Sequence, residues 1–245
     1  MAVEMLMERY LKSLLEGDRN ASRNVIEEAL QKGIPANSVY MDIIWPIMVE
    51  VDTLSRKDKI TSAQESFATR INRTIVDQLQ NKLPRKEEVA KKIVVCSASS
   101  EQGELGAQMI VDMFESNGWQ VRFLGGSVSI DDVLSFTQGY HPDILLVYGM
   151  NADKAPDVRL LIDKIREIGA WPNMQIMLSG GVFDRAEGLW EEIGADLYAA
   201  NPAQAIQIAS APKEDQPKPK RTINRRKRRS VDSIPVKELA AETAV

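Results

Sequence analysis

The spacing of apolar residues changes once along this chain, near residue 90, and no other feature constrains the fold as much. Upstream of that point the spacing is helical. Met5, Leu6, Tyr10, Leu11, Leu14 and Leu15 form one stripe, which Gly17-Asp18 ends. A second stripe, capped by Asn20 or Ser22, runs through Val25, Ile26, Ala29 and Leu30 to Gly33. The third spans about 36–54 and carries Val39, Ile43, Ile44, Ile47, Met48 and Val51. Trp45 reads as core, and Pro46, which has no N–H to donate, predicts a local kink. Thr61 or Ser62 caps the fourth, which passes through Phe67, Ile71, Ile75, Val76 and Leu79 to Leu83. Four helices with short joins predict a bundle over 1–86, followed by a polar hinge at 84–88.

Downstream, over 90–210, short apolar runs appear at 93–96, 121–124, 144–147, 176–178 and 197–199, each bounded by Gly, Asp or Pro. Helical patterns separate them at about 104–117, 130–138, 154–168 and 185–193, with a last one from about 202. This alternation predicts an α/β fold, a doubly wound five-stranded parallel sheet of flavodoxin-like type. Ligands of such sheets sit beyond the carboxyl ends of the strands, which directs attention to the loops 97–105, 124–129, 148–154 and 179–185.

Composition narrows the chemistry. The chain holds one cysteine, Cys96, and one histidine, His141. Zinc sites built from Cys and His are excluded, as is an internal disulfide, and a reducing, cytoplasmic setting is the simple reading. His141 precedes the third strand, at the end of the sheet away from ligands, and Cys96 reads as an inert core residue. Residues 1–5 lack the pattern of a signal peptide, and no apolar run is long enough to span a bilayer. The net charge of −4 hides an asymmetry. Residues 1–211 carry 21 basic against 30 acidic side chains, whereas 212–245 carry 10 against 5. The tail from 211 onward predicts an extended, disordered and basic segment. Lys218, Lys220, Arg221, Arg225, Arg226, Lys227, Arg228 and Arg229 suit phosphates of nucleic acid or an acidic protein surface. An anionic membrane would also fit, and a tail that only solubilises is the bland alternative.

Residues 10–210 resemble the cobalamin-binding module of methionine synthase, corrinoid methyl carriers and cobalamin-dependent photoreceptor regulators. The matching text is Leu14-Leu15-Glu16-Gly17-Asp18, Pro46–Val51 and Ile60–Glu65 in the bundle. In the sheet domain it is Gly106, Gly118–Val121, Leu124-Gly125, Asp143–Leu145, Ser179-Gly180-Gly181 and Ile193–Asp196. The resemblance implies cofactor contacts at Glu65, Glu101, Gly103, Gly106, Gly125, Tyr148, Met150, Gly180 and Gly181. It also marks departures. Where the family's Asp-x-His-x-x-Gly supplies a histidine to cobalt, this chain reads Glu101-Gln102-Gly103-Glu104-Leu105-Gly106, with Gly103 at the histidine position. The family's Ser-x-Leu, which holds the nucleotide tail of the cofactor, reads Tyr148-Gly149-Met150. The Trp and Glu-His of the bundle correspond to Ser55, Glu65 and Ser66.

Gly106, Gly125, Gly180 and Gly181 read either as openings for a flat ligand or as ordinary strand-to-helix turns. Ser97, Ser99 and Ser100 offer hydroxyls ahead of a helix, but Glu101 and Glu104 put negative charge there and suit the helix dipole instead. Glu65 faces either a ligand or solvent. No nucleophile–base pair stands out, so the chain is expected not to be an enzyme. The leading expectation is a ligand-sensing or regulatory module of the cobalamin-binding type. The alternatives are a ligand-free protein-interaction scaffold and a corrinoid methyl carrier serving separate methyltransferases. Any bound cobalamin would lack a protein histidine on its cobalt. Association with further copies of the chain is left open.

Overall fold

The computed structural model describes residues 2–98, 101–217 and 219. Helices α1 (Ala2–Leu15) and α2 (Arg19–Gln31) pack through Leu6, Tyr10, Leu14, Val25, Ile26 and Ala29, all buried. The cap of α2 is Asp18 rather than Asn20 or Ser22: its carboxylate accepts from the N–H groups of Asn20 and Ala21. The third rod is α3 (Ala36–Ser38), a π-helical stretch (Val39–Ile44) and α4 (Trp45–Arg56) in unbroken succession. Pro46 accounts for the stretch. In a regular helix its ring would strike the carbonyl of Asp42, and the turn ahead of it widens instead. The fourth rod, α5 (Ser62–Gln80), starts with a capping box in which Thr61 and Gln64 bond reciprocally.

The joint to the sheet is not a free hinge. Ser116 Oγ donates to Pro84 O at 2.6 Å, Lys86 N to Ser116 O at 2.9 Å and Val89 N to Gly118 O at 2.8 Å. Gly118 is required there, because a Cβ would strike the carbonyl of Glu87.

Five parallel strands follow: β1 (Lys92–Ser97), β2 (Gln120–Gly125), β3 (Ile144–Tyr148), β4 (Gln175–Ser179) and β5 (Leu197–Ala199), ordered β2-β1-β3-β4-β5. The helices between them are α6 (Leu105–Ser116), α7 (Ile130–Tyr140), α8 (Ala155–Ile168), α9 (Gly181–Arg185) and α10 (Leu189–Ile193), with α11 (Pro202–Ser210) last. The single helix expected at 185–193 is two short ones, since Ala186 is extended and Gly188 takes φ +78°.

Side chains alternate across the sheet. Ile93, Val95, Leu146, Tyr148 and Met177 share one core with α6, α11 and the whole bundle. Val94, Cys96, Leu145, Val147 and Leu178 form a second core under α7 and α8. The bundle therefore sits on the α6 side as a cap.

Residues 211–217 depart from the expected disorder. Gln216 is buried, its amide donating to Ile208 O at 3.1 Å and accepting from Gln175 Nε2 at 2.7 Å, while Lys213 Nζ donates to Asn173 O. This clip lies at the amino edge of the sheet. Lys218 and residues 220–229, which hold the rest of the basic tract, lie outside the described residues. No described helix is long and apolar enough to cross a membrane.

Candidate functional site: a cleft between cap and strand tips

Where the cap overhangs the carboxyl ends of β1 and β3, a cleft of about 170 Å³ remains. Helix α4 lends it Met48, Val51 and Asp52, and α5 lends Glu65, Thr69 and Asn72. The sheet side contributes Gly103, Leu105, Gly106, Tyr148, Met150 and Asn151. The strand order reverses between β1 and β3, so the cleft adjoins the position where doubly wound sheets bind ligands.

Four polar side chains at the cleft, Glu65, Asn72, Asp52 and Arg185, are held by neighbours. Ser55 Oγ donates to Glu65 Oε2 at 2.6 Å, so two aligned positions of the bundle motif meet, and Glu65 faces the cleft rather than solvent alone. Buried Asn72 accepts from Tyr10 Oη at 2.6 Å. Arg185 bridges the two parts: Nη1 lies 3.2 Å from Asp52 Oδ2, and Nη2 donates to Met150 O at 2.7 Å. Asp52 also pairs with Arg56, one turn along α4.

Of the residues expected at the site, Glu65, Gly103, Gly106, Tyr148 and Met150 line this cleft, with Glu101 opening the 3-10 turn (Glu101–Glu104) that carries Gly103. Gly125 does not line it. It borders a separate space of about 600 Å³ on the α7–α8 side, at φ +72°. Its loop is pinned by Glu104, whose carboxylate accepts from Gly126 N at 2.5 Å; Glu104 makes no side-chain cap to α6. A Cβ on Gly180, which sits at φ +105°, would strike the carbonyl of Gly149, and one on Gly181 would meet the Arg185 guanidinium. The pair forms a tight turn at the end of β4. Ser97 is buried without a hydrogen-bond partner, and Ser99 and Ser100 lie outside the described residues. Cys96 is buried, which pushes its thiol up to about 12, in keeping with an inert core residue. His141 is exposed at the C-terminus of α7, in the left-handed conformation, far along the chain topology from the strand tips. Among the described residues, no group of three or more His, Cys, Asp and Glu is placed to hold a metal.

Sequence reasoning missed Asp52, Asn72 and Arg185. Asn72 carried a signal, being polar within the apolar stripe Ile71, Ile75, Val76, Leu79. Arg185 carried none, because only the fold brings it across to α4. A fourth missed residue, Asp112, lies within the apolar run of α6 and joins the sheet domain to the cap. Tyr40 Oη sits 3.0 Å from Asp112 Oδ2 and 2.9 Å from Val76 O. The Tyr40 hydroxyl donates to the Asp112 carboxyl, with the Val76 carbonyl as a second acceptor within reach. Burial pushes the Asp112 carboxyl up to about 7, with Glu115 and Asp77 adding to the shift and the bond from Tyr40 opposing it.

A parallel sheet roofed at its strand tips by a helical cap, with a glycine-floored cleft between them, defines a two-part ligand-binding module of the doubly wound class. Two family models, each described as a B12 binding domain, match residues 6–80 and 91–207. The chain belongs to the B12-binding family. It is similar to dimethylamine corrinoid protein 1 of Methanosarcina acetivorans, at 22% identity over 212 residues, covering 85% of this chain and 98% of that one. Dimethylamine corrinoid protein 3 of Methanosarcina mazei is 24% identical over 137 residues, covering 55% and 80%. The solved monomethylamine corrinoid protein of Methanosarcina barkeri shares the fold, with a TM-score of 0.74 at 20% identity, over 84% of this chain and 97% of that one.

Proposed function

We propose that this protein is a corrinoid carrier: it holds a corrinoid in the cap–sheet cleft and presents it to separate methyltransferases, without being an enzyme itself. One observation carries the reading. The cleft opens at the strand tips between two B12-binding domains, and its floor residue, Gly103, has no side chain to obstruct a flat ring. The names of the two Methanosarcina sequence relatives, both dimethylamine corrinoid proteins, support it over a sensing role. A bound corrinoid would supply a cobalt that accepts and releases a methyl group. Glu65, Gly103, Gly106, Tyr148 and Met150, which line the cleft, would meet it, and Gly125, Gly180 and Gly181 would shape the surrounding loops.

The cleft of about 170 Å³ is smaller than typical small-molecule sites. Entry of a corrin ring requires the cap to move off the strand tips, breaking the Arg185–Asp52 contact. The reading is tested by incubating the full-length protein with excess hydroxocobalamin in dim light and passing it through gel filtration. Visible absorbance eluting with the protein is expected; elution of all the chromophore as free ligand overturns it.

A regulatory role remains as a second reading, favoured by one observation. The Gln216 clip fixes the chain just ahead of the basic tract at the amino edge of the sheet, the end opposite the cleft, and a tract of this charge suits nucleic acid or an acidic protein surface.

A further inference from the structure

Three buried side chains stand in a row across the strand tips. Ser97, Tyr148 and Ser179 are register partners on β1, β3 and β4, and they share the sheet face covered by α6 and α11. The middle member fills its space. Tyr148 is 2% exposed, and its ring and phenolic oxygen lie where a Cβ on Gly106 would be. Gly106 is not in the left-handed region, so the close approach of Tyr148 demands a glycine there and the backbone does not. The outer members are orphaned. The hydroxyls of Ser97 and Ser179 are buried and neither has a hydrogen-bond partner. Buried hydroxyls normally find partners. Two unpartnered ones flanking an aromatic ring mark a slot whose walls suit polar atoms and whose space a ring has taken.

The axial position of a corrinoid fares no better. Gly103 offers no donor atom, and the one imidazole in the chain, His141, lies at the amino edge of the sheet. Burial keeps the Tyr148 phenol protonated, so it offers no phenolate. The residues present fit the ring of a corrinoid; they do not fit a buried nucleotide arm or a protein-ligated cobalt.

We propose that Tyr148, packed against Gly106, closes the slot between sheet and α6. A corrinoid is then held by its ring alone, with its nucleotide arm outside the slot. This rests on the corrinoid reading above and narrows the ligand class. The chain takes corrinoids whose own base stays on cobalt, and equally corrinoids that lack the nucleotide.

The test is binding of cobalamin and of cobinamide, which has no nucleotide, to the full-length protein, together with the electron paramagnetic resonance spectrum of the bound Co(II) state. Dissociation constants within about threefold of each other are expected, and bound Co(II) cobalamin should keep the nitrogen splitting of its own base. Tyr148→Ser, which opens the slot, is expected to favour cobalamin over cobinamide by about tenfold and to lose that splitting. The comparison of cobalamin with cobinamide on the wild type does not depend on the serine variant, so it stands even if that variant fails to fold. A wild type that prefers cobalamin by about tenfold or more, without nitrogen splitting, overturns the inference while leaving the carrier reading intact. Binding of neither corrinoid overturns both.

Discussion

Asp112 shows how one buried hydrogen bond, from Tyr40, ties the cap to the sheet. Its carboxyl, ordinarily titrating near 3.8, is held at about 7 by burial. Between those values the unfolded chain loses the proton while the fold keeps it, so stability falls as pH rises, by up to about 1.4 kcal/mol per pH unit, and levels off above 7. Asp112→Asn, which keeps an acceptor for Tyr40 without the acid, is expected to flatten the dependence; urea unfolding at a series of pH values from 4 to 8 measures it, and an unchanged slope contradicts the assignment. Tyr40→Phe removes the donor to Asp112 and Val76 O and is expected to cost about 1–3 kcal/mol in the same assay. The acid was visible in the sequence as a break in the apolar run of α6. Its partner was not, since Tyr40 lies 72 residues away and meets it only in the fold. The substitutions Gly103 and Tyr148, by contrast, were legible as departures from a motif, and the structure supplied the contact with Gly106 that explains the second.

Among the elements, the helices and strands were legible because apolar period depends on a few residues per turn, and the structure reproduces them within a few positions. Their ends were less so. Asp18, not Asn20 or Ser22, caps α2, because several neighbouring residues have side chains capable of capping and only geometry chooses among them. The polar 84–88 segment read as a hinge because its composition is that of a linker, while its anchors Ser116 and Gly118 lie 30 residues on. Arg185 belongs to this scale too, since it ties α9 to α4. Arg185→Met is expected to destabilise the closed arrangement by about 0.5–1 kcal/mol, the guanidinium being about a third exposed. Faster amide hydrogen exchange confined to α4 and the 150–151 loop would report it; exchange unchanged there contradicts the latch.

At the scale of the molecule, a net charge of −4 joins an acidic two-part body to a basic tail. The boundary between them was placed too early by sequence, because Pro212–Pro217 is polar and proline-rich although Gln216 plugs the amino edge. A chain ending at Pro217 is therefore expected to unfold like the full-length protein, and one ending at Ala211 to be less stable by about 1–3 kcal/mol. The 1–217 chain should also lose salt-sensitive retention on immobilised DNA or on an acidic resin; retention equal to that of the full chain contradicts a partner role for the basic residues. Anomalous diffraction at the cobalt edge, from crystals of the full-length protein grown with hydroxocobalamin, tests the cleft as the corrinoid site. One cobalt peak is expected between Gly103 and the α4–α5 wall of the cap, with the Arg185–Asp52 contact broken. A cobalt peak elsewhere on the protein, or none at full ligand excess, would contradict it.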